Sequence, residues 1–175
     1  MEQTKGVLKT IIDLLKIILV SLILAGLVSH FIGGIVRVVG QSMEPTYHDS
    51  DILIGSKLSY ITGDPERFDV AVIDASKNYK LIKRVIGLPG ETVRIDENGF
   101  IYINGELLDE SYGKEEIENA GNALYGITLG TDEYFVLGDN RNNSTDSRFD
   151  EVGVIKRSQF DEKVIEGIKI SKNKN

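Results

Sequence analysis

The sequence predicts a mainly β protein, an antiparallel β-sheet domain behind an amino-terminal transmembrane helix. Three observations predict it. Ile17 to Val36 is a run of 20 residues without Asp, Glu, Lys or Arg. Short alternating apolar segments recur from residue 51 onward. No long, clean helical period follows the apolar run.

The apolar run has the length of a bilayer crossing, since a hydrocarbon core of about 30 Å needs roughly 20 helical residues. Ser21, Ser29 and His30 dilute it slightly. Lys5, Lys9 and Lys16 precede it and Arg37 follows. That asymmetry favours a cytoplasmic segment at 1–16, an anchor at 17–36 and an extracytoplasmic domain at 37–175. A cleaved secretory signal is one alternative, but the run exceeds the usual core of about 7–15 residues and lacks a clean Ala-x-Ala site after it. A buried core helix is another, and a small domain struggles to cover so long an apolar element.

The strands follow in order. Asp51–Ile54, Phe68–Ile73 and Leu81–Ile86 each suit a strand. Thr92–Ile95 and Phe100–Ile103 flank Asn98-Gly99, a strong hairpin signal, and Asn104-Gly105 marks the next turn. Tyr134–Leu137 and Val164–Ile170 complete the set. Residues 106–133 are acidic and poorly periodic, which predicts a long loop or small excursion. The tail 171–175 is expected to fray.

Composition excludes several functions. Among 175 residues, 20 basic and 27 acidic side chains give a net charge of −7. A pI near 4.9 argues against nucleic acid as a partner. There is no Cys, hence no disulfide scaffold, thiolate metal site or cysteine nucleophile, and 2 His cannot build a multi-histidine metal centre. No metal and no cofactor are expected.

Three segments can carry chemistry. In Gly40-Gln-Ser-Met-Glu-Pro-Thr46, Gly40 permits unusual backbone angles and Pro45 stiffens the turn, so Ser42 can be held out with backbone N–H groups aimed at one point. A plain linker turn explains the same residues. In Tyr79–Gly90, strand alternation sets Lys83 beside Leu81 and Val85. Burial there lowers an amine pKa and makes a general base. Lys80 on the other face has Ile82 and Ile86 beside it, so alternation does not choose between the two lysines, and a snorkelling lysine remains the plain reading.

The third segment, Gly138–Arg148, is eleven consecutive Gly or polar residues after an apolar run. It does not fit an EF-hand loop. Asp139, Arg141, Asp146 and Arg148 can pair into a rigid platform, with Ser144 free to bond to a neighbouring site. A solvated loop also explains the polarity. His48, with Asp49 or Asp51, is a formal alternative base for Ser42.

Together these segments resemble a type I signal peptidase, of the small single-anchor bacterial kind. Ser42-Met43-Glu44-Pro45, the lysine box Lys83–Gly90 and the box Gly138–Arg148 occur in the family's order behind an anchor. The resemblance covers nearly the whole chain. It implies the β fold shared with repressor-type autoproteases. It implies a serine endopeptidase with Ser42 as nucleophile, Lys83 as general base and Ser144 orienting the lysine amine. Asp146 and Arg148 would form a supporting ion pair, with Asp139 in the same box. Gly40, Gln41 and Met43 would line the site and its oxyanion hole. Gly40 stands where some members carry a serine, so oxyanion stabilisation would rest on backbone donors.

The implied substrates are secretory preproteins, met at the lipid bilayer near the export translocon. Ser42 lies within about 22 Å of Val36 along an extended chain, close to the lipid. Two other readings compete: a Ser–Lys protease that cuts itself or one dedicated partner, and a non-catalytic anchored β module.

Overall fold

The chain opens with α1 (Glu2–Phe31), a helix of 30 residues. The structure is a computed structural model that describes residues 2–31, 33–76 and 79–169, without the side chains of 2–5, 8, 27–31 and 76. The helix differs in extent from the predicted anchor. It starts well ahead of the uncharged run and stops inside it, because Gly33 turns to φ +52. Ile35 and Val36, expected in the span, belong to strand β1 (Ile35–Arg37). From residue 9 to 26 every side chain is exposed. Among the described residues, no helix is long and apolar enough to cross a membrane.

The rest is mainly β. Among the described residues, ten strands follow β1: β2 (Ile52–Ser56), β3 (Val70–Ser76), β4 (Tyr79–Gly87), β5 (Thr92–Ile95), β6 (Ile101–Ile103), β7 (Glu106–Leu107), β8 (Ile127–Thr128), β9 (Glu133–Leu137), β10 (Ile155–Lys156) and β11 (Phe160–Ile168). They form a seven-stranded sheet, β1-β2-β11-β3-β4-β9-β10, and a four-stranded sheet, β7-β6-β5-β8. Every pairing is antiparallel.

β2 to β6 and β9 fall on the alternating runs read from the sequence. β11 begins earlier than predicted, at Phe160. Ile170 and the tail lie outside the described residues. The sequence reading missed α2 (Lys57–Thr62), which is too short to display a period. Ser56 caps it by accepting the Ser59 N–H. The excursion at 106–133 is structured rather than loose: it contains β7, a 3-10 turn at Gly121–Tyr125 and β8.

Two cores explain the layering. One gathers Ile86, Val93, Ile95, Ile103, Phe135 and Leu137 between the sheets. The other gathers Ala71, Ile73, Leu81, Val85, Val136 and Phe160 on the far face of the large sheet. β4 and β9 therefore bury both faces. Alternate residues enter alternate cores, and a fully buried Phe135 or Leu137 contributes about 2 kcal/mol. From Leu81 onward β4 has no solvent face, which forces Lys83 and Arg84 out of water, whereas Tyr79 and Lys80 precede that stretch and stay exposed.

Candidate active site

β4 carries Lys83 and Arg84 between these cores, and both are buried. Lys83 keeps step with Leu81 and Val85, and Arg84 takes the opposite face. Lys80, the competing lysine, lies outside. It donates to Asp161 and stands 3.7 Å from Asp74, and the Asp161 bond raises its pKa.

The turn at 40–46 meets β4 from the other side. Glu44 N–H donates to Gln41 O at 3.1 Å and Tyr47 N–H to Met43 O at 2.9 Å. Met43, 1% exposed, pins the turn to the interior. Gly40 adopts φ +91, and its N–H donates to Asp49 at 2.9 Å. Ser42 is half-buried at the apex. Lys83 Nζ donates to Ser42 Oγ at 2.8 Å. Among the described residues, the Ser42 amide is assigned no acceptor.

The box at 138–148 clamps this turn. Asn140 N–H donates to Ser42 O at 3.0 Å and its side-chain amide to Gln41 O at 3.1 Å. Asn143 reaches the Gln41 side chain at 3.4 Å. Gly138 permits the closest approach: a Cβ there would lie 2.3 Å from Ser144 Oγ and 2.6 Å from Ser42 O.

Ion pairing differs from the platform expected within the box. Asp146 and Arg148 do pair, Oδ1 to Nε at 2.8 Å, and Asp146 also accepts the Gly138 N–H at 3.1 Å. Asp139 instead takes Arg84 as a bidentate partner, at 2.8 and 2.6 Å. It also accepts the Thr46 hydroxyl, which ties the nucleophile turn to β4. Arg141 leaves the box to meet Glu110 at 2.8 Å. The sequence reading assigned no role to Arg84, Thr46, Glu110 or Asn140. The detectable signal was Arg84 itself, a cation amid the apolar run Leu81–Ile86.

The 106–133 segment reinforces the arrangement. Tyr112 stacks over the Arg84 guanidinium at 3.8 Å, and Lys114 N–H donates to Asp139 O at 2.8 Å. Ser144 also departs from the implied geometry. Its hydroxyl is buried without a hydrogen-bond partner and makes no bond to Lys83. Its side chain is lodged against Gly138.

His48 does not compete for Ser42. Its N–H donates to the buried Asp51, and Nδ1 stands 3.9 Å from that carboxylate. Asp49 is engaged by Gly40 and Ser50.

Burial pushes the Lys83 amine down from 10.5 to about 8, with Asp146 and Asp139 opposing and Arg148 assisting. The neighbouring carboxylates are themselves paired with arginines, so desolvation prevails. An amine near 8 beside a hydroxyl can accept its proton at neutral to mildly alkaline pH. Among the described residues, no group of three or more His, Asp or Glu could hold a metal.

A groove of about 750 Å³ runs past Ser42, between residues 36–43 and residues 79–83. β4 pairs with β9 only from Arg84 onward, which leaves Tyr79–Lys83 without a strand on that side. β1 ends the sheet across the groove. A serine hydroxyl held against a buried amine, beside two open strand edges, has the parts of a serine hydrolase suited to an extended peptide.

Comparison with known proteins agrees. A family-wide profile described as "Signal peptidase, peptidase S26" matches residues 11–166. Signal peptidase I P of Bacillus subtilis subsp. natto is 38% identical over 155 residues, 84% of this chain and 83% of that one. Signal peptidase I of Bacillus licheniformis is 36% identical over 155 residues, again 84% and 83%. A crystal structure of a signal peptidase I from Enterococcus faecalis is 34% identical, with a TM-score of 0.48, covering 59% of this chain and 98% of that one. The chain belongs to the signal peptidase family, peptidase S26, and is a serine endopeptidase of that family.

Proposed function

We propose that the chain is a membrane-anchored signal peptidase that removes amino-terminal signal peptides from exported preproteins through a Ser42–Lys83 dyad. The observation that carries this reading is the buried Lys83 Nζ at 2.8 Å from Ser42 Oγ. The neutral amine takes the hydroxyl proton as Ser42 attacks the scissile carbonyl. The tetrahedral oxyanion forms beside the Ser42 amide, and the protonated amine then gives its proton to the leaving nitrogen as the C–N bond breaks, leaving an acyl group on Ser42. Water, activated by the same amine, releases the acyl group. Ser144 Oγ, buried and unpartnered beside Gly138, makes no bond to the amine here and would steady it only by turning toward it during turnover.

The preprotein lies extended in the groove and adds a strand between Tyr79–Lys83 and the 36–40 edge. Gln41 and Met43 border the scissile bond. With Gly40 carrying no hydroxyl, oxyanion stabilisation rests on backbone donors.

Support for the anchor is the exposed apolar surface of α1. Ile17, Leu19, Leu22 and Leu24 are each more than half exposed, and among the described residues nothing covers them. The uncharged run continues beyond them through residue 36. On this reading the amino terminus is cytoplasmic, and the site faces the extracytoplasmic surface near the translocon. Enzyme and substrate share the bilayer, which raises their effective concentration.

The test is cleavage of a preprotein by wild type, Ser42→Ala and Lys83→Ala in parallel. Wild type cuts at the signal junction and both variants lose cleavage with the fold retained. Full activity in Lys83→Ala would refute the dyad.

A further inference from the structure

Where α1 gives way to the sheet, a buried carboxylate holds the chain. Glu162 on β11 is 3% exposed. Its Oε1 accepts the Gly34 N–H at 2.8 Å, and the Lys57 ammonium stands 3.8 Å from the same oxygen. Its Oε2 is buried without a hydrogen-bond partner. Glycines make room for it: a Cβ at Gly55 would lie 2.0 Å from Oε2, and one at Gly34 3.0 Å from Oε1. Gly33, at φ +52, presses on Gly55, whose N–H donates to Gly34 O at 3.0 Å.

Two adjacent glycines in a linker ordinarily make a flexible joint. This joint is closed on one side by β2 and on the other by Glu162. A half-satisfied buried carboxylate is a costly way to fill space, and an apolar side chain would do so better if stability alone were at stake. Glu162 takes no part in the chemistry, since β11 is separated from β4 by β3. What it fixes is Gly34, on the α1 side of β1, while β1 itself is held in register by β2.

We propose that Glu162 is a positioning residue that locks the joint between α1 and the catalytic sheet. The lock sets the height and orientation of the groove over the lipid, and so selects cleavage sites held at the bilayer surface. This rests on the reading of α1 as an anchor and of Ser42–Lys83 as a signal-peptide-cutting site.

The test uses the full chain in lipid vesicles and two substrates. One is a short soluble peptide containing a cleavage site; the other is a preprotein whose signal segment is inserted in the same vesicles. Glu162→Ala should cut the peptide within about twofold of wild type. It should cut the inserted preprotein about tenfold more slowly, with cuts spreading to neighbouring bonds. Glu162→Gln, whose amide oxygen can still accept the Gly34 N–H, should restore most of the loss. Four Gly/Ser residues inserted ahead of Gly33 leave Glu162 and its bonds in place but uncouple the helix. They should give the same split between substrates, which keeps the test decisive if Glu162→Ala does not fold. Equal losses on both substrates, or undiminished preprotein cleavage, would overturn the lock. A wild-type enzyme that cuts neither substrate would instead overturn the signal-peptidase reading, and the lock with it.

Discussion

Lys83→Met separates what the amine does for cleavage from what it costs the fold. Burial lowers Lys83 from 10.5 to about 8. Below pH 8 the amine is charged in both folded and unfolded chains, and the folded chain bears the whole desolvation penalty. That displacement corresponds to about 3 kcal/mol. Between pH 8 and 10.5 the folded amine has released its proton while the unfolded one holds it, so the penalty fades as pH rises. Methionine has similar bulk and no charge. It forfeits the bond to Ser42, worth about 1 kcal/mol.

The variant should therefore be more stable than wild type by about 2 kcal/mol at pH 6–7. The advantage should shrink steadily and vanish toward pH 10. Cleavage should fall by about 10⁴-fold or more. The assay is denaturant unfolding of the detergent-solubilised chain, followed by far-ultraviolet circular dichroism from pH 6 to 10. Lys80→Met is the control. The bond to Asp161 raises the Lys80 pKa, so the folded chain gains from that charge below the unfolded value, and its loss should destabilise. A Lys83→Met chain less stable than wild type at pH 6.5, or a difference that ignores pH, would refute a desolvated base.

The pH dependence of kcat/KM should rise about tenfold per pH step below 8 and level off above it, as the charged amine gives way to the neutral one; a flat profile from pH 6 to 9 contradicts the assignment. Gly138→Ala should lower kcat by about 100-fold, because its Cβ drives into Ser144 and the Ser42 carbonyl, and peptide kinetics at fixed pH measure it. Asp139→Asn leaves the buried Arg84 without its counter-charge and should cost about 3–5 kcal/mol in denaturant unfolding, a loss that an exposed pair would not produce.

Much of this was legible in the sequence because it rests on local pattern. Alternation marked β2 to β6 and β9, since a strand shows its period within five residues. The order of the three boxes brought Ser42, Lys83 and Gly138–Arg148 into one frame. Side-chain pairing was less legible, because it depends on which strands become neighbours. Asp139 has Arg141 two residues away, yet takes Arg84 from β4 across 55 positions. Nothing local signals that choice. Lys80 and Lys83 were indistinguishable by alternation, and the difference arises from β11, which offers Asp161 to one of them. Ile35 and Val36 read as lipid-facing because apolarity suits a membrane helix and an edge strand alike; Gly33 and Gly34 decide between them.

The low pKa of Lys83 follows from how the other buried cations are satisfied. Arg84, Arg141 and Arg148 are each buried, and each has its own carboxylate: Asp139, Glu110 and Asp146. A guanidinium cannot give up its proton in a protein, so it must be paired. At Lys83, Asp146 and Asp139 favour the charged amine, Arg148 opposes them, and burial outweighs the rest. Among the described residues, Lys83 is the buried cation left without an ion pair, and its bond is to Ser42. Unlike arginine, it can answer burial by releasing a proton. The ion pairs around Ser42 and Lys83 thus do more than brace them. Removing the Arg148 charge would leave the attraction of Asp146 unopposed, raise the amine's pKa and hold it in the form that cannot accept a proton from Ser42.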